Sequence, residues 1–179
     1  MKKFTIAAAY QWPNKFEENK SPTSEQAIKK IIDSLKNRLT KNNKNGKEIS
    51  LEFKRLRASA GKSMLDSIIK RIDDCNSLIV DISNKNANVY IELGIAISRA
   101  RKDDSFSLYL IKEINNTKNV ADDLPSDLQG YFISGYTKEK NGIVYKDKNS
   151  LLMSLVSDIN DYYFVRGGGT NTDEINFKE

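Results

Sequence analysis

The sequence predicts a single α/β domain on a doubly wound, mainly parallel five-stranded sheet in the order 2-1-3-4-5. Three observations carry that prediction. Short apolar runs alternate along the chain with segments of helical period. Two of the runs, Phe4 to Ala9 and Ser77 to Val80, are nearly free of polar residues, as strands covered on both faces are. At 179 residues and 20.3 kDa the chain is long enough for one core without staples.

The elements follow in order. Phe4 to Ala9 is the first strand, and its alanines suit close packing at the sheet centre. "YQWPNKFEENKSP" is a long loop leaving that strand's carboxyl end, and Pro22 to Ser24 opens a helix over residues 24–40. Ala27, Ile28, Ile31, Ile32, Leu35 and Leu39 recur there at helical spacing. "ISLEFKRL" alternates apolar and polar and marks a second strand nearer an edge. After the small-residue loop "RASAGKS", Met64, Leu65, Ile68, Ile69 and Ile72 make the next helix. Ser77 to Val80 is the third strand, its helix running from Asn88 to about Arg101, and "SFSLYLI" is the fourth strand. Lys112 to Asp127 reads as a polar loop, Gly130 to Ile133 as a short fifth strand, and residues 149–164 as the closing helix. The domain thus covers residues 1–165, and 166–179 read as a mobile tail.

Composition excludes several chemistries. The chain has no histidine and one cysteine, Cys75. Ser-His-Asp and Cys-His catalysis, His-ligated zinc and thiolate metal sites therefore fall away, and no metal is expected. The lone cysteine excludes an internal disulfide framework and suits a reducing cytoplasm, where Cys75 reads as a small buried structural residue. No apolar run approaches the roughly 20 residues that span a bilayer, so no membrane partner is expected. The run after Met1 is broken by Thr5 and ends at aromatic residues, so a strand is a better reading than a signal peptide.

The net charge of +5 is uneven: residues 1–62 hold 15 Lys and Arg against 6 Asp and Glu, and the rest 14 against 18. The basic residues are interspersed with Asn and Glu and lack interleaved aromatics, so they read as solvated surface and nucleic acid is not the expected partner. The same field favours a small anionic ligand.

The densest signal is "LIVDISNKNANVYIELGIAISRA", Leu78 to Ala100. A buried strand ends there on an acid, Asp81. Ser83, Asn84, Asn86 and Asn88 supply turn and N-cap chemistry. The helix that follows is apolar nearly all round, and Glu92 sits inside it. A carboxyl so placed needs a partner, a pocket or a proton. The plainer reading is that Glu92 complements the positive end of the helix dipole. Ligands of open α/β sheets bind beyond the strands' carboxyl ends, where Asp81, the Asn loop and Glu92 all fall. Asp81 reads either as a cap for its own loop or as an acceptor for a ribose hydroxyl. Together with Glu92 it suggests glycoside-type chemistry, in which carboxyl groups serve an oxocarbenium-like centre. Burial should raise the pKa of Glu92 toward the range useful for acid–base work. Tyr10 and Trp12 follow the first strand, as loop anchors or as faces for a nucleobase. "SAGKS" is no Walker A motif, because Leu56 stands where its first glycine belongs; Ser63 caps the next helix instead, and Arg55, Arg57 and Lys62 can rim the pocket.

The segment "DISNKNANVYIELGIAISRA" resembles the signature of the TIR-like nucleotide-binding proteins of bacteria: an Asp, a short linker, Asn-Pro-Asn-Val, two residues, Glu-Leu-Gly and an alanine. Ala87 stands where that pattern has proline. "DLPSDLQGYFISGY" is similar to a Leu-Pro-Phe-Asp-Leu element after the family's fourth strand, with Ser126 in place of Phe. The resemblance implies a flavodoxin-like fold and a glutamate, Glu92, acting at ribose C1 of an N-glycosidic bond. It implies that Asp81 and Asn88 line the ribose site, that Tyr10 and Trp12 face the base, and that the loop from Arg57 to Lys62 serves assembly and gating. NAD would be substrate rather than cofactor, hydrolysed or converted to a signalling nucleotide in bacterial antiviral defence, with a homo-oligomer or a partner effector completing the site. Nucleoside 2-deoxyribosyltransferase chemistry and a non-catalytic nucleotide-sensing or assembly module are the alternatives.

Overall fold

The apolar runs form strands and the segments of helical period form helices in a computed structural model that describes residues 3–11, 23–42, 49–56, 63–114, 128 and 131–165. Their order is β1 (Lys3–Ala9), α1 (Thr23–Asn42), β2 (Ser50–Arg55), α2 (Met64–Asp73), β3 (Ser77–Asp81), α3 (Ala87–Ala100), β4 (Ser107–Glu113), β5 (Ile133–Glu139), β6 (Gly142–Tyr145) and α4 (Lys148–Asn160), closed by a π-helical turn, Asp161–Val165. The proposed tail, Trp12, Arg57 and most of the loop after β4 lie outside the described residues. None of the described helices is long and apolar enough to cross a membrane.

The strands form one sheet in the order β2-β1-β3-β4-β5-β6. All neighbours are parallel except β5 and β6, which are antiparallel. The expected five strands are therefore corrected to six. The added strand arises from a tight hairpin: Glu139 pairs with Gly142 across Lys140 and Asn141. Gly142 takes the positive φ of 112°, which a residue without Cβ adopts at little cost. Two further boundaries move. The fifth strand is Ile133–Glu139 rather than Gly130 to Ile133, and Lys112 with Glu113 belongs to β4 rather than to a loop. In both places backbone pairing to the neighbouring strand, Leu110 to Ile133 through Glu113 to Tyr136, outweighs a polar local sequence.

Crossover handedness sets the layers. The step from β1 to β2 runs one way along the sheet, and those from β2 to β3 and β3 to β4 run the other way. Right-handed crossovers then put α1 on one face and α2 with α3 on the opposite face. The core divides accordingly. Ile28, Ile31 and Leu35 of α1 and Leu151, Leu155 and Ile159 of α4 pack over Ile6, Ile79 and Tyr136. Ile68 and Ile72 of α2 and Val89, Leu93 and Ala96 of α3 pack over Ala7, Leu78 and Val80. Each such aliphatic side chain contributes about 1.5–3 kcal/mol by leaving water.

Along β3 the pleat alternates, so Leu78 and Val80 meet α2 and α3 whereas Ile79 shares the face of α1 and α4. Asp81 continues the second set. The closing helix ends at Asn160 rather than running to 164 as one α-helix. The π-helical turn that follows brings the Tyr163 hydroxyl against β1 and β2: it donates to the Ser50 carbonyl at 2.7 Å and accepts from the amides of Ser50 (3.1 Å) and Phe4 (3.2 Å).

Candidate functional site

Two buried carboxyl groups stand at the end of β3 and on the helix that follows it, and they live in different surroundings. Asp81 ends β3 and is 3% exposed. Its Oδ1 accepts from the Ser83 amide at 2.9 Å and from the Ser83 hydroxyl. Its Oδ2 accepts from the Tyr136 hydroxyl on β5 at 2.6 Å. The Ser83 oxygen in turn accepts from the Glu113 amide at the end of β4 (2.6 Å) and lies 3.2 Å from the Tyr136 oxygen. Ser24, buried near the start of α1, also reaches the Tyr136 hydroxyl. Burial, and then the adjacent Asp81, push the Tyr136 phenol above its ordinary range. Glu113, half-buried, is pushed up by burial and by repulsion from Asp81.

Glu92 lies in the second turn of α3. That helix starts at Asn86, whose side-chain oxygen accepts from the amides of Asn88 (3.0 Å) and Val89 (3.4 Å). Among the four candidate cap residues of the loop, Asn86 is thus the cap. Just before it, Lys85 has a φ of 42°, in the left-handed region that a side-chain-bearing residue enters only when its neighbours are fixed. Val89, Glu92, Leu93 and Ala96 form the buried stripe of α3. The helix is not covered all round, as its composition suggests, because Ile91 is 55% exposed and Tyr90, Ile95 and Ile97 are only partly covered.

Glu92 is 9% exposed, and no hydrogen bond or ion pair joins its carboxyl to another described residue. Burial raises its pKa from 4.5 to about 7. Both readings of the residue bear on that shift. A dipole-complementing acid belongs in the first turn, where the helix field lowers its pKa. The first turn of α3 carries no acid; Glu92 stands one turn further in, where burial disfavours its charged form.

The residues expected at one site are distributed as follows. Asp81 and Ser83 join one network with Tyr136, on the face of α1 and α4. Glu92 faces the sheet from α3, on the other side, so Asp81 and Glu92 are not a hydrogen-bonded carboxyl pair. Tyr10 is 4% exposed and buried in the cluster beneath α1. It lines a groove of about 290 Å³ between α1 and β2, with Ile32, Phe53 and the ion pair of Arg55 with Glu25. That groove is across the sheet from Glu92. Asn88 is exposed on the first turn of α3, beside the strand ends.

Tyr136 and Glu113 were not legible as members of this network. A tyrosine between Gly135 and Thr137 in a polar segment carries no local sign of a partner 55 positions away. Ser63 caps α2 through the Asp66 amide, at 3.4 Å, as its position before the helix suggests. Cys75 is 2% exposed with its thiol pushed up to about 11 by burial, which fits a structural residue and no nucleophile. No known protein family matches the chain, and no curated protein matches it.

Proposed function

We propose that this chain cleaves or transfers the N-glycosidic bond of NAD or a related nucleotide, with Glu92 acting at ribose C1. One observation carries the reading: a buried carboxyl on the helix that follows β3, unpartnered among the described residues, its pKa pushed up to about 7 by burial. Near pH 7 both its forms are populated, which is what proton exchange during turnover requires.

The chemistry follows from the charge of the substrate. As the C1–N bond of a nicotinamide riboside unit breaks, its electron pair neutralises the pyridinium and positive charge develops at C1. A carboxylate there stabilises that charge, and it then accepts the proton of the water, or of the acceptor hydroxyl, that adds to C1. Asn88, exposed at the start of α3, is the ribose-binding candidate in this reading. Asp81 holds the loop through the bonds its two oxygens accept and, in this reading, borders the ribose with Asn88. The proposed setting, bacterial antiviral defence with self-assembly or a partner effector, rests on the sequence resemblance alone.

The test is incubation of purified protein with NAD over a range of protein concentrations, with products identified by mass spectrometry. Nicotinamide release by the wild type and its loss in folded Glu92→Gln are expected. NAD consumption that persists in that variant removes Glu92 from the mechanism. Base exchange between free deoxynucleosides without NAD loss would identify a transferase instead.

A further inference from the structure

We infer that Tyr136 is a positioning residue for Glu92, acting through the loop between β3 and α3; this rests on the role proposed for Glu92 above. The loop Ile82 to Asn86 is short and held at both ends. At its start the Ile82 amide donates to the Ile111 carbonyl at 3.0 Å. The ring of Tyr136, Asp81 and Ser83 then ties it to β5 and, through the Glu113 amide, to β4. At its end Asn86 caps α3 and Lys85 holds the left-handed turn that aims the chain into that cap. Glu92 follows six positions after the cap, in the second turn.

The hydroxyl of Tyr136 is the only link in this ring contributed by β5. It comes from a tyrosine whose ring is fully buried against Tyr145, 5.5 Å between centroids, and whose own carbonyl accepts from the Ile114 amide at 2.8 Å. Its position is therefore set by the sheet, and the loop adjusts to it. Without the hydroxyl, Asp81 Oδ2 loses its partner on β5, and the Asp81–Ser83 turn keeps its own bonds and its ties to β4 through the Ile82 and Glu113 amides but none to β5. The first turn of α3 then samples more than one position, and the Glu92 carboxyl one turn further along shifts with it.

Tyr136→Phe keeps the ring and removes the hydroxyl. Amide hydrogen exchange of the full chain should quicken about tenfold at Ser83, Asn88, Val89 and Tyr90, and stay unchanged at Ile114 and Lys146. NAD cleavage should lose about tenfold in kcat with KM within about twofold, as misplacement of a reacting group does. Ser83→Ala breaks the same ring from the loop side and should reproduce the exchange pattern, which keeps the test open if Tyr136→Phe fails to fold. Unchanged exchange in the loop overturns the inference. So does faster loop exchange with kcat intact, since Tyr136 then serves stability alone. A wild type inert at every concentration toward both NAD and free deoxynucleosides overturns the role of Glu92, and the inference with it; the exchange data then show whether the ring still orders the loop.

Discussion

Asp81 and Glu92 are both buried carboxyl groups, one ending β3 and one on the helix that follows, and they differ in everything that follows burial. Asp81 meets two hydroxyls and an amide within hydrogen-bonding distance. Glu92 meets an aliphatic stripe and no partner among the described residues. The first arrangement turns desolvation into a cross-strand tie; the second leaves the cost in the carboxyl as a raised pKa. Burial therefore marks neither structure nor chemistry by itself. Whether the polar group is satisfied separates the two.

The comparison can be broken most directly by exchanging what each acid loses. Glu92→Gln should lower NAD turnover about a thousandfold, in the range expected for removal of an acid–base group, while the denaturant midpoint is unchanged or raised. Asp81→Ala should act chiefly on stability, with turnover lowered only about tenfold because the ring that positions Glu92 is broken. It removes the shared acceptor of the Ser83 and Tyr136 hydroxyls, and equilibrium urea unfolding should show a loss of about 3 kcal/mol. A large stability loss in Glu92→Gln, or none in Asp81→Ala, would erase the distinction.

The next test uses pH. The folded-state pKa of Glu92 is raised from 4.5 to about 7. The stability tied to its protonated form is thus complete below about pH 4.5 and lost as pH rises through about 7. The loss is on the order of 2 kcal/mol, discounted for residual solvent contact. Because Glu113 and Asp158 are also raised by burial, the quantity to read is the difference between wild type and Glu92→Gln measured from pH 4 to 8. A difference flat in pH would show that Glu92 is solvated or partnered in solution.

The smallest effects concern the loop. Ala87 is the first residue of α3, and Asn86 before it is extended, with φ −74° and ψ 125°. Both conformations accept proline at position 87. Ala87→Pro should raise stability by about 0.5 kcal/mol by restricting the unfolded chain, seen as a small rise in Tm. A fall in Tm would mean that the start of α3 needs freedom that the cap does not reveal.

How far the sequence reaches depends on the range of the forces involved. Strands and helices from Lys3 to Ala100 followed from apolar period and capping residues, because those signals are local. Glu92 was legible for the same reason: a carboxyl inside an apolar helix is a conflict visible within one window. The hairpin of β5 and β6 was missed although Asn141–Gly142 marks its turn, because Ser134, Gly135 and Thr137 blur the alternation and burial comes from α1 and α4. The separation of Asp81 from Glu92 was beyond reach for a different reason. β3 is apolar on both faces, so its composition does not say which way Asp81 points. Only the pairing with Tyr136 fixes that phase.

Cys75 gives the molecule a use as its own reporter. It is the sole thiol in the chain, and its carbonyl and that of Ile72 are both bound by Arg99, which is stacked over Phe106 at 4.2 Å. With the thiol pushed up to about 11, roughly one molecule in ten thousand carries the reactive thiolate at neutral pH while folded. Alkylation of the native protein must wait for the segment between α2 and β3 to open. When opening and closing are fast relative to alkylation, the labelling rate of unmodified protein reports the population of that open form, and each substitution above can be ranked by it without a chromophore or a tag.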